Sequence, residues 1–211
     1  MLYDLTHTIK HEMPVFPGTP APVLVPSNTL EENGFRETRL TLTSHMGTHM
    51  DAPAHQLQDG VTLDQMGVER FCGSALVVDC SHLPGGRTIT RAFLRPYEDL
   101  LRATDFVLFR TGFEQLWGTM DFYGDFPVPD EECARFLVSC GIKGIGTDTM
   151  SVDPIDDQIM PVHHILLESA GVSIENLCLS QLPAGAVCDF LALPLKYDGA
   201  DGAPVRAVAI L

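Results

Sequence analysis

The chain has 211 residues, with 13 Lys+Arg against 28 Asp+Glu for a formal charge of −15, and 45% of its residues are hydrophobic. A chain of this length can bury roughly 70% of the surface that its unfolded form exposes, so one globular domain over residues 1–211 is expected, with a core that needs no disulfides. Phosphate backbones and anionic lipid are bound mainly through Lys and Arg, so an acid excess this large excludes nucleic acid and membrane as expected partners.

The first ten residues lack a basic segment followed by an apolar one, and no run approaches the ~20 apolar residues of a membrane span, which predicts a cytoplasmic protein. Residues 35–43 alternate as a strand does, and residues 75–80 form a short Val-rich run of the same kind. Further strands are expected over 106–110, 142–147, 188–195 and 205–211. Helices are expected over 91–101, over 130–139, where acids open the segment and Gly141 follows its end, and over 161–171. This order reads as an α/β fold in which a mixed sheet or partial barrel carries a few helices. Six cysteines without a Cys-x-x-Cys pair read as reduced, mostly buried thiols. Residues 121–160 hold nine acids against Arg135 and Lys143, most of which read as a solvated face.

Three of the eight histidines fall within eleven residues, in His45-Met-Gly-Thr-His49-Met-Asp51-Ala-Pro-Ala-His55. His45, His49, Asp51 and His55 share one parity, so an extended chain would project all four to one side. Gly47 and Pro53 argue against a helix. In a strand His49 and Asp51 stand ~6.6 Å apart, close enough to share an ion, whereas His45 and His49 stand ~13 Å apart, too far for one. The chain must therefore bend between them, and Gly47 permits the bend. Two imidazoles and a carboxylate suit Zn²⁺, Mn²⁺ or Fe²⁺ and leave a position open for water, which such an ion can deprotonate near pH 7. His7, His11 and His82 lie in polar or turn-like contexts and read as ordinary polar residues.

The string His45-x-Gly47-Thr48-His49-x-Asp51-x-Pro53-x-His55 resembles the signature of the cyclase family of metal-dependent hydrolases, which includes bacterial kynurenine formamidases (arylformamidases) and isatin hydrolases. The resemblance extends to Asp4-Leu-Thr-His7, Met13-Pro-Val-Phe-Pro-Gly18, Leu108-Phe-Arg-Thr-Gly112, Gly146-Thr-Asp-Thr-Met-Ser-Val-Asp153, Leu182-Pro-Ala-Gly185, Leu193-Pro-Leu195 and Gly202-Ala-Pro-Val-Arg-Ala207. It implies a single compact domain described as swivelling β/β/α. It also implies that His45, His49 and Asp51 bind metal, that Asp51 can bridge two ions, and that His163 and Glu175 complete a second position. His164 and Glu168 are their neighbouring alternatives. His55 resembles the family's proton-transfer histidine, and an ordinary pKa near ~6.5 suits it to that task.

The resemblance further implies one or two Zn²⁺ or Mn²⁺ ions, a homodimer or homotetramer, and hydrolysis of a small-molecule amide by metal-bound hydroxide with His55 as the proton shuttle. In that mechanism Glu175 also moderates the charge on the ions. N-formylkynurenine, an intermediate of tryptophan catabolism, is the expected substrate, with isatin or another cyclic amide, imide or ester as the alternative. Thr19 stands where the family often has an acid, a departure that bears on substrate choice. Phe16, Phe35, Phe113 and Trp117 are candidates either for an aromatic pocket or for plain core. A non-catalytic metal- or metabolite-binding protein is the alternative from another class, and a cysteine hydrolase is disfavoured because the signature contains no Cys.

Overall fold

The computed structural model describes residues 1–211. Its strands are β1 (Leu2–Asp4), β2 (Val23–Asn28), β3 (Glu37–Thr41), β4 (His49–Asp51), β5 (Cys72–Asp79), β6 (Thr88–Ile89), β7 (Phe106–Arg110), β8 (Val128–Pro129), β9 (Gly144–Thr147), β10 (Val172–Glu175), β11 (Val187–Pro194) and β12 (Gly202–Ile210). Its helices are α1 (Leu30–Asn33), α2 (Glu98–Leu101), α3 (Glu131–Ser139) and α4 (Pro161–Glu168). Eight strands form a mixed sheet in the order β1-β12-β11-β5-β7-β9-β10-β4, and β4 also pairs with β12, so seven of them close into a barrel.

The apolar runs read as strands because both of their faces are buried. In β5, Ala75 and Val77 point into the barrel while Leu76 and Val78 point out against the helices, and in β7 Phe106 and Leu108 alternate in the same way with Val107 and Phe109. Parallel pairing of β5, β7, β9 and β10 demands such two-sided burial. On the opposite wall β11 and β12 are antiparallel and bury one face only, with Phe190, Ala192, Val205, Ala207 and Ala209 inside.

Helix α3 begins as its sequence implies. The Asp130 side chain accepts from the backbone N–H of Cys133, and Gly141 takes a left-handed φ of +84° just past the end. The helix expected over 91–101 is instead three pieces, single 3₁₀ turns at Arg91–Phe93 and Arg95–Tyr97 followed by α2. Pro96 is the cause, since it lacks an N–H and disfavours helical geometry at Arg95. Helix α4 stops at Glu168 rather than 171, because Ala170 turns the chain back at φ +58° to start β10. The segment 35–43 contains β3, but β2 and β3 form a two-stranded ribbon in which every residue of β3 is exposed. All six cysteines are free thiols, three buried and three partly exposed.

Candidate metal centre

Strand β4 is three residues long and is paired on both sides. Asp51 lies opposite Ser173 of β10 and Gly202 of β12, Met50 opposite Ile174 and Ala203, and His49 opposite Glu175 and Pro204. Met50 and Ile174 belong to the barrel core, so by strand parity His49, Asp51 and Glu175 share the other face. The first turn of α4 brings His163 against that face. Gly47 supplies the expected bend, with φ +62°. It folds His45 back until its ring centroid is 5.4 Å from that of His49, replacing the long separation of a straight strand.

Four distances connect the cluster. His49 Nε2 lies 3.4 Å from Asp51 Oδ1 and 3.5 Å from Glu175 Oε2, and His163 Nε2 lies 3.5 Å from Asp51 Oδ2 and 3.2 Å from Glu175 Oε1. Ligand atoms held at ~2.0–2.1 Å around one tetrahedral ion stand ~3.3–3.4 Å from each other, so these spacings match those that a shared ion requires. Asp51 Oδ2 is buried without a hydrogen-bond partner, which is costly unless a cation completes it. Three groups can each hold an ion: His45, His49 and Asp51; Asp51, His163 and Glu175; and, less buried, His45, His55 and Asp201. The donor set of imidazole and carboxylate fits a divalent metal, and Asp51 is common to the two more buried groups.

Each imidazole has an outer partner that fixes its ring. His49 Nδ1 donates to the Gly47 carbonyl at 2.9 Å and His163 Nδ1 to Asp153 Oδ2 at 2.7 Å, leaving both Nε2 atoms turned to the carboxylates. His45 is held at both nitrogens, by Asp51 Oδ1 at 2.6 Å and Asp201 Oδ2 at 3.0 Å. Burial opposes charge on His45, but Asp51 and Asp201 outweigh it and lift the imidazole to about 9. Burial is likewise overcome at His49 and His163, which are raised by the carboxylates around them, and at Asp51, which the histidines hold well below the usual carboxylate range. The centre thus draws positive charge, as protons or as metal ions.

His55 ends a 3₁₀ turn at Pro53–His55, its ring 3.9 Å from that of His45 and 6.0 Å from that of His163. Burial holds it below the ordinary histidine range, so it is predominantly neutral at pH 7. A cavity of about 280 Å³ opens onto the cluster, lined also by Phe16, Thr19, Gln56, Met150, Met160 and Asn176. Of the aromatic candidates only Phe16 lines it. Phe35 is 53% exposed at the ribbon, and Phe113 and Trp117 pack on Phe122 in a small core behind the Phe16 and Met150 wall of the cavity. His164 is not among the converging residues and Glu168 is exposed at the end of α4.

Two acids of the 121–160 region are not part of a solvated face. Asp148 is buried and accepts from the backbone N–H groups of Thr111 and Gly112, and buried Asp153 orients His163. Asp153 and Asp201 are the residues that sequence reasoning passed over. The signal for Asp153 was its place at the end of the Gly146–Asp153 block, and Asp201 immediately precedes the Gly202–Ala207 block.

A family model described as "Putative cyclase" matches residues 3–154. The chain is 31% identical over 210 residues to a kynurenine formamidase of Salinibacter ruber, covering 98% of this chain and 96% of the relative. It also resembles isatin hydrolase A from Labrenzia aggregata bound to benzyl benzoate, with a TM-score of 0.88, 26% identity, and 99% of this chain and 93% of that one covered. A solved structure described as a potential metal-dependent hydrolase with cyclase activity is similar at TM-score 0.82 and 28% identity, covering 99% of this chain and 96% of that one.

Proposed function

The chain belongs to the cyclase family and is a metal-dependent amide hydrolase, and we propose that it cleaves an arylformamide, with N-formylkynurenine as the leading candidate. One observation carries this reading: His45, His49, Asp51, His163 and Glu175 converge at a cavity whose wall also presents His55. The cavity lies near the lower bound of ~300 Å³ for small-molecule sites and accommodates one small aromatic metabolite.

In this reading His45, His49 and Asp51 hold one divalent ion, Asp51, His163 and Glu175 a second, and Zn²⁺ or Mn²⁺ suits both. When bound, such an ion supplies a Lewis acid and lowers the pKa of a coordinated water toward neutrality. Asp51 and Glu175 bring negative charge that moderates the ions, and their fixed positions on paired strands keep the ligands preorganised. His55, neutral and outside the two groups that share Asp51, accepts a proton as the nucleophile forms and returns it to the leaving nitrogen. Phe16, Met150 and Met160 offer apolar surface to an aromatic ring. The 26% likeness to isatin hydrolase A supports a cyclic amide as the second candidate.

The reading includes a homodimer or homotetramer and a cytoplasmic location in tryptophan catabolism. The β2–β3 ribbon supports the former, since a two-stranded ribbon exposed on both faces is marginal in isolation, and Val23, Val25, Phe35 and Leu40 project from it. No helix is long and apolar enough to cross a membrane. Metal content measured together with turnover of N-formylkynurenine and isatin side by side tests the proposal. Faster turnover of isatin would reassign the substrate, and stoichiometric metal with no turnover of either compound or of any related formamide, lactam or ester would make the chain a binding protein.

A further inference from the structure

We propose that Asp201 is the positioning residue of His45, selecting which imidazole nitrogen faces the metal centre and thereby setting the affinity of the ion that His45 helps to hold. The inference rests on the metal reading given above. All three histidines of the centre have an outer acceptor, but the three acceptors differ in burial. The partners of His49 and His163, the Gly47 carbonyl and Asp153, are buried within the fold. The partner of His45 is a side chain 44% exposed, on the turn that leads into β12.

That turn is built around the His45 ring. A Cβ placed on Gly202 would stand 2.4 Å from His45 Cε1, 2.8 Å from Nδ1 and 2.9 Å from Nε2, so the ring rests directly on a backbone that only glycine leaves open. The Asp201 carboxylate is itself held, by Tyr197 Oη donating to Oδ1 at 3.2 Å and Ser44 Oγ donating to Oδ2 at 3.3 Å. The single Tyr197 Oη proton is shared with the Gly202 carbonyl, the nearer acceptor at 2.6 Å, and the Asp201 carbonyl accepts from the backbone of Ala52 at 2.9 Å, which ties the turn to β4. When an ion takes the place of the proton between His45 and Asp51, Asp201 accepting at Nε2 keeps the remaining N–H there and leaves Nδ1, which already faces Asp51, as the ligand atom. Removing the acceptor leaves the tautomer and the ring orientation to solvent. Loss of such an outer-shell partner typically weakens metal binding by ~10–100-fold.

Metal-free protein titrated with Co²⁺, read by its visible d–d absorption, tests the assignment without any substrate. Asp201→Ala is expected to weaken the His45-dependent ion by ~10–100-fold and to alter its absorption envelope, while the ion held by His163 and Glu175 keeps its affinity. Asp201→Asn, whose amide oxygen still accepts from Nε2–H, recovers most of the loss. Tyr197→Phe, at a residue 37% exposed, removes the hydroxyl's contacts to Asp201 and to the Gly202 carbonyl but leaves the Asp201 carboxylate in place, and is expected to give a smaller weakening in a fold unchanged by circular dichroism. His45→Ala separates the failures. If His45→Ala loses the ion while Asp201→Ala and Tyr197→Phe bind as the wild type does, Asp201 has no positioning role and the metal reading stands. If wild type and His45→Ala bind Co²⁺ alike, the metal reading falls and the assignment with it.

Discussion

His163 Nδ1 donates to Asp153 Oδ2 at 2.7 Å, and the same carboxylate accepts the backbone N–H groups of Val162 and His163 at 3.0 and 2.9 Å. One buried acid therefore closes the N-terminus of α4 and aims the His163 imidazole at the carboxylates of the proposed centre. Met160, which precedes the helix, makes no capping bond of its own, so Asp153 takes that part from eight residues before the helix. Asp153→Ala is expected to destabilise the fold by ~1–2 kcal/mol, as loss of a cap does, and to weaken metal binding by ~10–100-fold. Thermal unfolding and a metal titration read the two effects separately, and loss of stability with unchanged affinity would leave Asp153 a cap alone.

Replacing His55 by Ala should leave metal content unchanged and lower turnover by ~10²- to 10⁴-fold. Elemental analysis of the purified variant decides the assignment. A variant that loses its metal would make His55 a ligand.

Gly47→Ala forces an L side chain into the left-handed region, at about 1–2 kcal/mol, with its Cβ 3.0 Å from Met13 Cε. For a chain of this size that corresponds to a melting temperature lower by about 2–8 °C. Because the same residue turns His45 toward His49 and its carbonyl holds the His49 ring, metal affinity should fall in parallel.

Burial of the Asp148 carboxyl outweighs the hydrogen bonds from Thr111 and Gly112 and pushes it up to about 6. The unfolded value is lower, so the folded form holds the proton more tightly between the two. The contribution is fully present below the unfolded value and is lost as pH rises through about 6. The unfolding free energy of the wild type relative to Asp148→Asn should rise as pH falls from 7 toward 4 and level off above 7. A difference that instead shrinks on acidification would mean that the hydrogen bonds dominate.

His7 is stacked on Trp117 with ring centroids 3.9 Å apart and planes 5° apart, and burial, with Lys10 nearby, pushes its imidazole down to about 4. The neutral form is the folded one, so its contribution is present above the unfolded value near ~6.5 and is lost as pH falls through about 4. Trp117 is the only tryptophan, which makes its emission a direct probe of this pair. Quenching on acidification should have its midpoint near 4, and a midpoint near 6.5 would show His7 in ordinary contact with solvent.

The strands and the site were legible in the sequence to different depths. Strand β7 and the core of β5 could be read from short β-branched and apolar runs, because burial on both faces leaves no other composition available to them. The bend at Gly47 followed from reach alone, since an extended chain keeps His45 too far from His49 to share an ion. By contrast, the break in the 91–101 segment shows a local rule, the exclusion of proline from helix interiors, prevailing over an apolar pattern.

What the sequence by itself determined was the local chemistry: which donor types occur together, on which parity, and where the chain must turn. The resemblance added His163 and Glu175, which no spacing connects to residue 51. Only the tertiary structure decided that Glu175 lies opposite His49, because that pairing depends on β4 entering the sheet between β10 and β12 and closing the barrel. It also decided which acids serve the site. Asp153 and Asp201 have the same side chain as the exposed acids around them, and what separates them is proximity to an imidazole, 10 residues away in one case and 156 in the other. The first contact is made by the connection that leads into α4, and the second is a property of barrel closure, which joins β4 to β12 in a way that a pattern along one chain does not encode.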